Sequence, residues 1–515
     1  MSKKRILWVD DEIDSLKPHI IFLEQKGFVI ETALSGDDAV AKVRDEQLDL
    51  VLLDEMMPGK DGLTTLEEIK EIRPHLPVVL VTKSEEETLM NEAIGQKIDD
   101  YLTKPVNPSQ VLMVTKRILD AKKIVTESRM KRYITDVNKL NQKLFGGMQP
   151  EDWLEAARIL AGWDLEMDQS PDEGLLQTHA GTRKELNIEF TKYLEKNYLD
   201  WLYSDERPTM SPDVLRKYII PLLEGGNRVL LLVVDCMRLD QWFTVEPLVS
   251  EYYNINRDLY FSMLPSATPF ARNSLFAGIF PDEISRNYPD IYAEGDEGSL
   301  NRREDQLLAD QVAREGVNLG SAIRYEKIYD NTEGEALARR IADFYQSDLI
   351  AFVFNFLDIL AHGRSNNVIL KEIAGSEAAF RSLMTSWFVH SPLFTILKAF
   401  AERDFTVVIT SDHGSVLCSR GTIAHGKRDT STNLRYKYGD NLNCDPKDAW
   451  LIKKPEKYRL PKFSLATTYL VAKEDFFFVY PNKYNEFIRL YNNSFQHGGI
   501  SLEELVVPIA IMTPK

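Results

Sequence analysis

The sequence predicts a multidomain α/β protein, and three observations lead to that prediction. The chain has 515 residues, more than one hydrophobic core usually supports, so about three domains are expected. Apolar, strand-like runs alternate with helix-like stretches at the start of the chain and again in its last part. Between them lies a stretch with helical periodicity. We therefore predict domains at 1–120, 121–207 and 208–515.

The composition excludes several classes of protein. Lys and Arg total 62 against 79 Asp and Glu, a net charge of −17, which argues against an extended basic face for duplex DNA. The N-terminus carries no signal peptide pattern, and no segment reaches the ~18 uninterrupted apolar residues of a membrane helix. We expect a cytoplasmic protein without membrane insertion. Its three cysteines, Cys236, Cys418 and Cys444, indicate ordinary thiols.

Five apolar runs in the first 120 residues predict five βα units around a parallel sheet. The runs are RILWVDD, FVIETA, DLVLLDEMMP, LPVVLVT and DDYLTKP. Functional residues of such sheets lie at the carboxyl ends of strands. The residues at these ends are Asp10, Asp11, Asp54, Thr82 and Lys104. They indicate a pocket suited to Mg²⁺ and phosphoryl chemistry; the alternative is a flavodoxin-like sheet whose acids are solvated loop residues.

In these residues and their order, the first 120 residues resemble a response-regulator receiver domain with the CheY/flavodoxin-like fold. The resemblance implies that Asp54 is the phosphoacceptor and that a sensor histidine kinase is a partner. It assigns Mg²⁺ to Asp10, Asp11, Asp54 and the carbonyl of Met56, the phosphoryl group to Thr82 and Lys104, and the aromatic switch to Tyr101. Lys83 departs from the family, which usually has a small residue after the Thr, so access to the phosphoryl group or its lifetime is expected to differ.

The middle segment is predicted to be helical. From Asn107 and Pro108, a cap followed by proline at the first helical position, no strong breaker occurs until Gly146. Apolar residues recur seven apart at Val111, Ile118 and Val125, and at Met130, Val137 and Leu144. A helix of more than thirty residues with this pattern either extends the receiver's last helix into a pairing surface or packs within its own bundle.

Residues 150–205 are interpreted as further amphipathic helices. The turn signals in GWDLEMDQSPDEG separate them. His179 stands alone among Thr and Ala, which favours a surface histidine. This region therefore contributes a helical-bundle linker domain without a ligand cluster.

Ligand-type side chains follow three apolar runs in the last 310 residues. After RVLLLVV, LIAFVFNFL and FTVVITS come Asp235, Asp358, and the pair Asp412 and His413. Unbroken runs suit central parallel strands, whose carboxyl ends meet at one rim of the sheet. Asp358 and His362 share one face of a helical turn, and His497 lies in QHGGISLEE. Carboxylates with imidazoles fit Zn²⁺ or Mn²⁺ better than Mg²⁺ or Ca²⁺.

The segment PSATPFARNSLFAG offers a nucleophile for this metal pair, Thr268. A hydroxyl bound to a metal has a lowered pKa and can attack phosphorus in line. Arg272, four residues on, is placed either to bind phosphate oxygens or to support that loop. The pattern therefore predicts a two-metal phosphoryl-transfer site.

This segment resembles the nucleophile elbow of the alkaline phosphatase superfamily, and residues 208–515 are most similar to its PglZ group. The resemblance implies an alkaline-phosphatase-like α/β sandwich with a central, mostly parallel sheet and two Zn²⁺ (or Mn²⁺). It places Asp235, Thr268, Asp412 and His413 at one metal and Asp358, His362 and His497 at the other. A Thr nucleophile is typical of nucleotide phosphodiesterases, which favours a phosphodiester, nucleotide or oligonucleotide, as substrate. His425 either contacts the substrate or is a structural loop histidine.

The order of receiver, helices and PglZ-like domain resembles the PorX-type response regulators, which are associated with type IX secretion. With the receiver, we predict that phosphorylation of Asp54 controls the phosphodiesterase and that the receiver face near Tyr101 forms a homodimer, a change that the long helix after residue 107 transmits. Two alternatives remain open. The metal domain is a non-catalytic protein-interaction module, or it is a phosphomonoesterase or mutase on the same fold.

Overall fold

The computed structural model describes residues 3–83, 98–169, 171–292, 303–366, 372–426, 433–481 and 484–515. The chain divides into two compact units, Met1–Thr135 and Asp136–Lys515. Most of the predicted helical domain, 121–207, falls within the larger of these two units. Trp153 and Phe190 share one hydrophobic core with the sheet of the larger unit, so most of this helical region packs as part of it.

The smaller unit contains the predicted five-stranded parallel sheet. Its strands are β1 Arg5–Val9, β2 Val29–Ala33, β3 Leu50–Asp54, β4 Val78–Thr82 and β5 Asp100–Thr103, in the order β2-β1-β3-β4-β5. Each neighbouring pair is parallel. Its helices are Lys17–Gln25, Gly36–Asp45, Gly62–Ile72 and Pro108–Leu119. The predicted helix between β4 and β5 falls in 84–97, outside the described residues.

Burial of β3 on both faces fixes the position of Asp54. Val51 and Leu53 point into one hydrophobic core, whereas Leu50 and Leu52 point into the other. This alternation is what a strand between two helical layers requires. Asp54 is the last residue of the strand, so packing of the apolar residues holds its carboxylate at the carboxyl edge of the sheet.

The predicted helix of more than thirty residues is two helices, Pro108–Leu119 and Ala121–Gly146. The predicted cap at Asn107 is confirmed, because its side chain accepts from the backbone N–H of Ser109 at 2.8 Å. Asp120 has φ −110° and ψ 4°, outside the helical region, which ends the first helix. Leu140, in the second, is buried in the core of the larger unit, so this part packs in a bundle.

The larger unit is built on a six-stranded sheet with the order β7-β18-β10-β6-β9-β8. Its strands, with those of the smaller sheets beside it, are β6 Val229–Val234, β7 Tyr253–Phe261, β8 Arg324–Ile328, β9 Leu349–Phe354, β10 Thr406–Thr410, β11 Val416–Cys418, β12 Arg420–Ile423, β13 Tyr436–Asp440, β14 Ala449–Ile452, β15 Thr467–Ala472, β16 Phe476–Val479, β17 Ser494–Gln496 and β18 Val506–Pro514. Strands β10, β6, β9 and β8 are parallel, and β18 runs antiparallel to β10 and β7. The sheet is therefore mostly parallel, as predicted.

Helices cover both faces of this sheet. Leu231 of β6 lies in one hydrophobic core and Leu232 in the other, which makes the unit an α/β sandwich. The α-helices of the larger unit after residue 146 are Pro150–Gln169, Glu173–Trp201, Ile220–Glu224, Leu239–Val249, Thr268–Ala277, Pro281–Asn287, Glu304–Arg314, Asn331–Arg339, Phe356–Asn366, Glu377–His390, Pro392–Ala401, Tyr484–Tyr491 and Leu502–Leu505. Among the helices that the structure describes, none is long and apolar enough to span a membrane.

The linker helices differ from the prediction in two details. The first extends to Gln169, through most of the predicted turn segment, and the second begins at Glu173. The predicted surface position of His179 is wrong, since only 4% of the residue is exposed. Its Nε2 lies 3.1 Å from a carboxylate oxygen of Asp164. His179 is on the buried face of its helix, four residues after Leu175, where helical spacing repeats.

Candidate functional site

The receiver acids converge at the carboxyl edge of the smaller sheet. Asp10 and Asp11 follow β1, Asp54 ends β3, and these strands are neighbours. One carboxylate oxygen from each lies within 4.8 Å of the others. An all-oxygen cluster of this kind suits a hard cation such as Mg²⁺. The structure thus brings together the three carboxylates that the sequence predicted as ligands.

Lys104 forms ion pairs with two of these carboxylates. Its Nζ lies 2.9 Å from Asp10 Oδ2 and 2.9 Å from Asp54 Oδ1. Burial raises the pKa of Asp54, and the Lys104 ammonium acts in the opposite direction. The lysine therefore stands where a phosphoryl group on Asp54 would need a positive charge.

The remaining receiver residues lie around this cluster. Thr82 ends β4 and its hydroxyl donates to Glu55, a partner that sequence analysis did not identify. Tyr101 is 41% exposed and Met56 is 66% exposed. These two side chains point outward, where a partner protein could contact them. Their assigned roles stay predictions, as does that of the exposed Lys83.

The first cluster of the larger unit lies at the ends of two adjacent parallel strands. Asp235 follows β6, and Asp412 with His413 follows β10. One ligand atom from each of these three residues lies within 4.8 Å of the others. All three are buried. The argument from strand ends therefore places this group correctly.

An unusual backbone conformation supports this cluster. Cys236, directly after Asp235, has φ 66°, a left-handed conformation that costs roughly 1–3 kcal/mol for residues other than glycine. There its N–H points at Asp412 Oδ1, 3.4 Å away. The backbone of Cys236 thus connects the first strand end to the carboxylate delivered by the second.

His413 is held in a single tautomer. Its Nδ1–H donates to the carbonyl of Gly414 at 3.1 Å; because a carbonyl can only accept, Nδ1 carries the proton and Nε2 presents a lone pair. Burial lowers the pKa of His413 to about 3, so the ring is neutral. Nε2 lies 3.1 Å from Thr268 Oγ1, which places the predicted nucleophile beside the first cluster.

The second cluster contains Asp358, His362 and His497, with ligand atoms within 4.8 Å of one another. Asp358 does not end a strand, as the apolar run suggested: β9 stops at Phe354, and Asp358 is in the first turn of helix Phe356–Asn366. The helical spacing with His362 is confirmed, with 3.3 Å between Nε2 and Asp358 Oδ1.

The two imidazoles of the second cluster face each other, because His362 Nε2 lies 2.9 Å from His497 Nε2. Burial alone would raise the pKa of Asp358, but these imidazoles hold it well below the usual range. The carboxylate is therefore ionised between two nitrogen ligands. Such a set of one oxygen and two nitrogens is typical of zinc sites.

The two clusters are neighbours. The rings of His413 and His497 stack with centroids 4.2 Å apart. The residue after each histidine has no room for a side chain: a Cβ at Gly414 would collide with the carbonyl of Glu503, and one at Gly498 would collide with the ring of Tyr436. This explains why a glycine follows the ligand in the Asp-His-Gly and His-Gly-Gly segments.

Arg272 contacts carboxylates of the first cluster. Only 2% of it is exposed, and its guanidinium lies 2.7 Å from Asp235 and 2.7 Å from Glu304. Asp412 is 3.7 Å away. Of the two predicted roles, this geometry favours support of the site, because the guanidinium is committed to carboxylates.

The residues of the first cluster fit a metal ion. Asp235 Oδ1 and Asp412 Oδ2 are buried and accept no hydrogen bond from the part of the chain that the structure describes. His413 Nε2 is 3.7 and 3.6 Å from them and, because it carries no proton, cannot donate to them. Buried carboxylate oxygens of this kind are costly unless a cation balances them. Carboxylates with imidazoles suit Zn²⁺ or Mn²⁺.

Both clusters open into one cavity of about 250 Å³. Sequence analysis missed five of the residues that line it: Lys327, Tyr329, Asn355, Asn433 and Tyr436. Asn355 directly follows β9. The argument from strand ends would have identified it if the end of this strand had been predicted at Phe354. His425 is exposed and pairs through its backbone with Asn443. It is absent from the described lining of this cavity, which favours the structural role.

The fold and the two sites define a receiver protein with an alkaline-phosphatase-like output domain. Three protein families match the chain: "BREX system PglZ alkaline phosphatase-like domain" over residues 214–512, "Response regulator receiver domain" over 6–116 and "PorX response regulator linker domain" over 123–202. The first covers more than half of the chain. The chain therefore belongs to the PglZ alkaline phosphatase-like family, and its domain order is that of the PorX-type response regulators.

Individual relatives match only part of the chain. It is 35% identical over 118 residues to the transcriptional regulatory protein ResD of Bacillus subtilis, covering 23% of this chain and 49% of ResD. It is 33% identical to the alkaline phosphatase synthesis transcriptional regulatory protein PhoP of Bacillus subtilis, and the match covers 24% of this chain and 52% of PhoP. A CheY-like receiver structure from Methanospirillum hungatei is 32% identical, and the match covers 24% of this chain and 98% of that structure, with a TM-score of 0.23. The chain spans about half the length of these curated relatives.

Proposed function

We propose that this response regulator has a two-metal phosphodiesterase as its output domain, with Thr268 as the nucleophile. The observation that carries the proposal is the position of the Thr268 hydroxyl. It lies 3.1 Å from His413 Nε2, it lines the cavity shared by both clusters, and it begins helix Thr268–Ala277. The positive end of that helix dipole favours an anionic substrate.

The residues would divide the chemistry as follows. Asp235, Asp412 and His413 would hold one metal ion and Asp358, His362 and His497 the other; when bound, such a pair lowers the pKa of a hydroxyl and offsets phosphoryl charge. Thr268 Oγ1 loses its proton to solvent and forms a bond to phosphorus, while the bond from phosphorus to the leaving alkoxide breaks and the alkoxide takes a proton from solvent. Water then attacks phosphorus opposite Thr268 Oγ1 and loses a proton to solvent; the bond between Oγ1 and phosphorus breaks, and Oγ1 regains a proton.

The charge of the cavity favours a diester over a monoester. A diester carries one negative charge near neutral pH, whereas a monoester carries close to two. Arg272 is committed to Asp235 and Glu304, so its guanidinium does not offer a second charge to the substrate. A nucleotide or oligonucleotide linkage is therefore the substrate class that we propose.

The receiver is proposed to control this output. A sensor histidine kinase would phosphorylate Asp54, adding charge at the cluster of Asp10 and Lys104 and shifting the exposed face near Tyr101. That face would then form a homodimer. Domain order alone supports a further proposal, that the protein acts in the regulation of type IX secretion.

Turnover of bis(4-nitrophenyl) phosphate and 4-nitrophenyl phosphate by the full chain tests the proposal. We expect metal-dependent release of nitrophenol, with kcat/KM higher for the diester. Asp358→Asn, prepared in parallel, should be inactive, which excludes a contaminating enzyme. Metal-loaded protein that hydrolyses neither ester would contradict catalysis and favour a protein-interaction module. A preference for the monoester would overturn the proposed substrate class.

A further inference from the structure

The helix Glu173–Trp201 lies in the part of the chain that matches the PorX response regulator linker domain, residues 123–202. It supplies none of the predicted metal ligands, and the mechanism above does not use it. Asn187, in the middle of this linker helix, is 5% exposed. Burial of an amide is costly unless its donor and acceptor atoms are paired. The partners of Asn187 therefore show what the linker helix holds in place.

Asn187 binds both the backbone and a side chain of the short helix Leu502–Leu505. Its Oδ1 accepts from the backbone N–H of Leu502 at 2.8 Å, and its Nδ2 donates to Glu503 Oε2 at 3.0 Å. Arg183, one helical turn earlier, lies 3.4 Å from the other oxygen of Glu503. A helix of four residues has few hydrogen bonds of its own, so its position depends on contacts from outside.

The same short helix holds the two segments that carry histidines of the two clusters. The carbonyl of Glu504 accepts from the backbone N–H of Gly414, directly after His413, at 2.9 Å. The side chain of Glu504 accepts from the backbone N–H of Gly499, two residues after His497, at 2.8 Å. One residue of the short helix therefore joins the backbone segments of both histidines.

Close packing makes the first of these segments sensitive to the position of the short helix. A Cβ at Gly414 would lie 2.0 Å from the carbonyl oxygen of Glu503, the residue whose side chain Asn187 binds. His413 in turn donates from Nδ1 to the carbonyl of Gly414 at 3.1 Å. A shift of the short helix would therefore displace the backbone that orients the His413 ring.

We propose that Asn187 is a positioning residue for both metal clusters. Through helix Leu502–Leu505, it holds His413 and His497 at the spacing that the metal ions require. This inference rests on the proposed two-metal function. The amide touches neither metal nor substrate and acts by limiting the movement of two backbone segments. Displacement of the linker helix would weaken metal binding, which gives this helix a means to regulate the output domain.

The Zn²⁺ affinity of the full chain, measured by competition with a chromogenic chelator, tests this role. Asn187→Leu and Asn187→Ala both remove the two amide hydrogen bonds but differ in volume. The Zn²⁺ whose binding His497→Ala abolishes is the one to follow. We expect its dissociation constant to rise by about 10-fold in both variants, the lower end of the effect of losing a supporting partner. A loss in only one of them would reflect the change of volume and would overturn the role.

Two variants on the linker helix are the controls. Asn197→Ala removes an amide that donates to the carbonyl of Tyr193 within the same helix, and it should leave the Zn²⁺ affinity unchanged. Leu175→Ala removes a buried side chain near the start of the helix, so it should lower Tm but not the Zn²⁺ affinity. An equal loss of affinity in Leu175→Ala, or unchanged affinity in both Asn187 variants, would overturn the role. Failure of the unaltered protein to bind Zn²⁺ would instead contradict the proposed function itself.

Discussion

The receiver site and the cavity site are both built at the carboxyl ends of parallel strands, yet they differ in ligands and enclosure. The receiver cluster uses three carboxylates, with Asp11 exposed and an exposed Tyr101 nearby in the same unit. The cavity clusters combine carboxylates with imidazoles, and Asp235, Asp412 and His413 are all buried. The receiver site is partly exposed, whereas the first cluster of the cavity is fully buried.

The same kind of sheet edge therefore presents two different sets of ligand atoms. The all-oxygen set of the receiver suits a hard cation such as Mg²⁺. Imidazole ligands in an enclosed site favour a more tightly held transition metal. In the receiver Lys104 contacts the acids directly, whereas in the cavity Arg272 contacts Asp235 and Glu304.

Removal of an imidazole ligand should have the largest effect and should leave the receiver unaffected. His497→Ala removes a nitrogen from the second cluster, so we expect phosphodiester turnover to fall by about 10³-fold or more, as loss of several kcal/mol of metal-derived stabilisation implies. Metal analysis should show less transition metal per chain. Beryllofluoride binding to the receiver should be unchanged; a parallel loss there would mean that the two sites are not independent.

A smaller effect is expected from a substitution of Arg272, which contacts a carboxylate of the first cluster. Arg272→Lys keeps the charge but loses the forked contact with Asp235 and Glu304. Losses of supporting partners typically reduce metal affinity or activity by about 10- to 100-fold, and we expect turnover to fall in that range. Arg216→Lys, on an exposed ion pair with Glu315, is the control. Equal activity in the two variants would show that Arg272 does not position Asp235.

The smallest effect on basal turnover is expected at the phosphoacceptor. Asp54→Asn removes the carboxylate that would be phosphorylated, but Asp54 is no part of the cavity. Turnover without phosphorylation should therefore stay close to that of the unaltered protein. Light scattering should show a mass twice that of one chain when beryllofluoride is added to the unaltered protein, and no change for Asp54→Asn. An unchanged mass in both would argue against dimerisation as the switch.

The strand-end argument succeeded where a strand is buried on both faces. Such a strand reads as an unbroken apolar run, so its end could be located for Asp54, Asp235 and Asp412. It failed for Asp358, because apolar residues resume after Asn355 at Phe356 and Leu357, which already belong to the following helix, and short apolar runs do not distinguish a strand from a buried helix. The helical spacing to His362 nevertheless led to the correct pair.

Contacts made by isolated charged residues could not be predicted. Glu304 begins helix Glu304–Arg314 and Lys327 is on β8, in segments without a recognisable motif, and their side chains lie 3.3 Å apart only in the folded chain. His179 was misplaced for a related reason: its ring is buried beside Asp164, fifteen residues earlier, on another helix. Tertiary packing, which local sequence does not reveal, sets both arrangements.

The most direct test of the account compares the unaltered protein with Thr268→Ala and Thr268→Ser. Metal content per chain and turnover of bis(4-nitrophenyl) phosphate would be measured on the same samples. We expect transition metal in all three, activity in the protein with Thr or Ser, and none in Thr268→Ala, because only the hydroxyl forms the bond to phosphorus. Undiminished turnover in metal-loaded, folded Thr268→Ala would contradict the central claim.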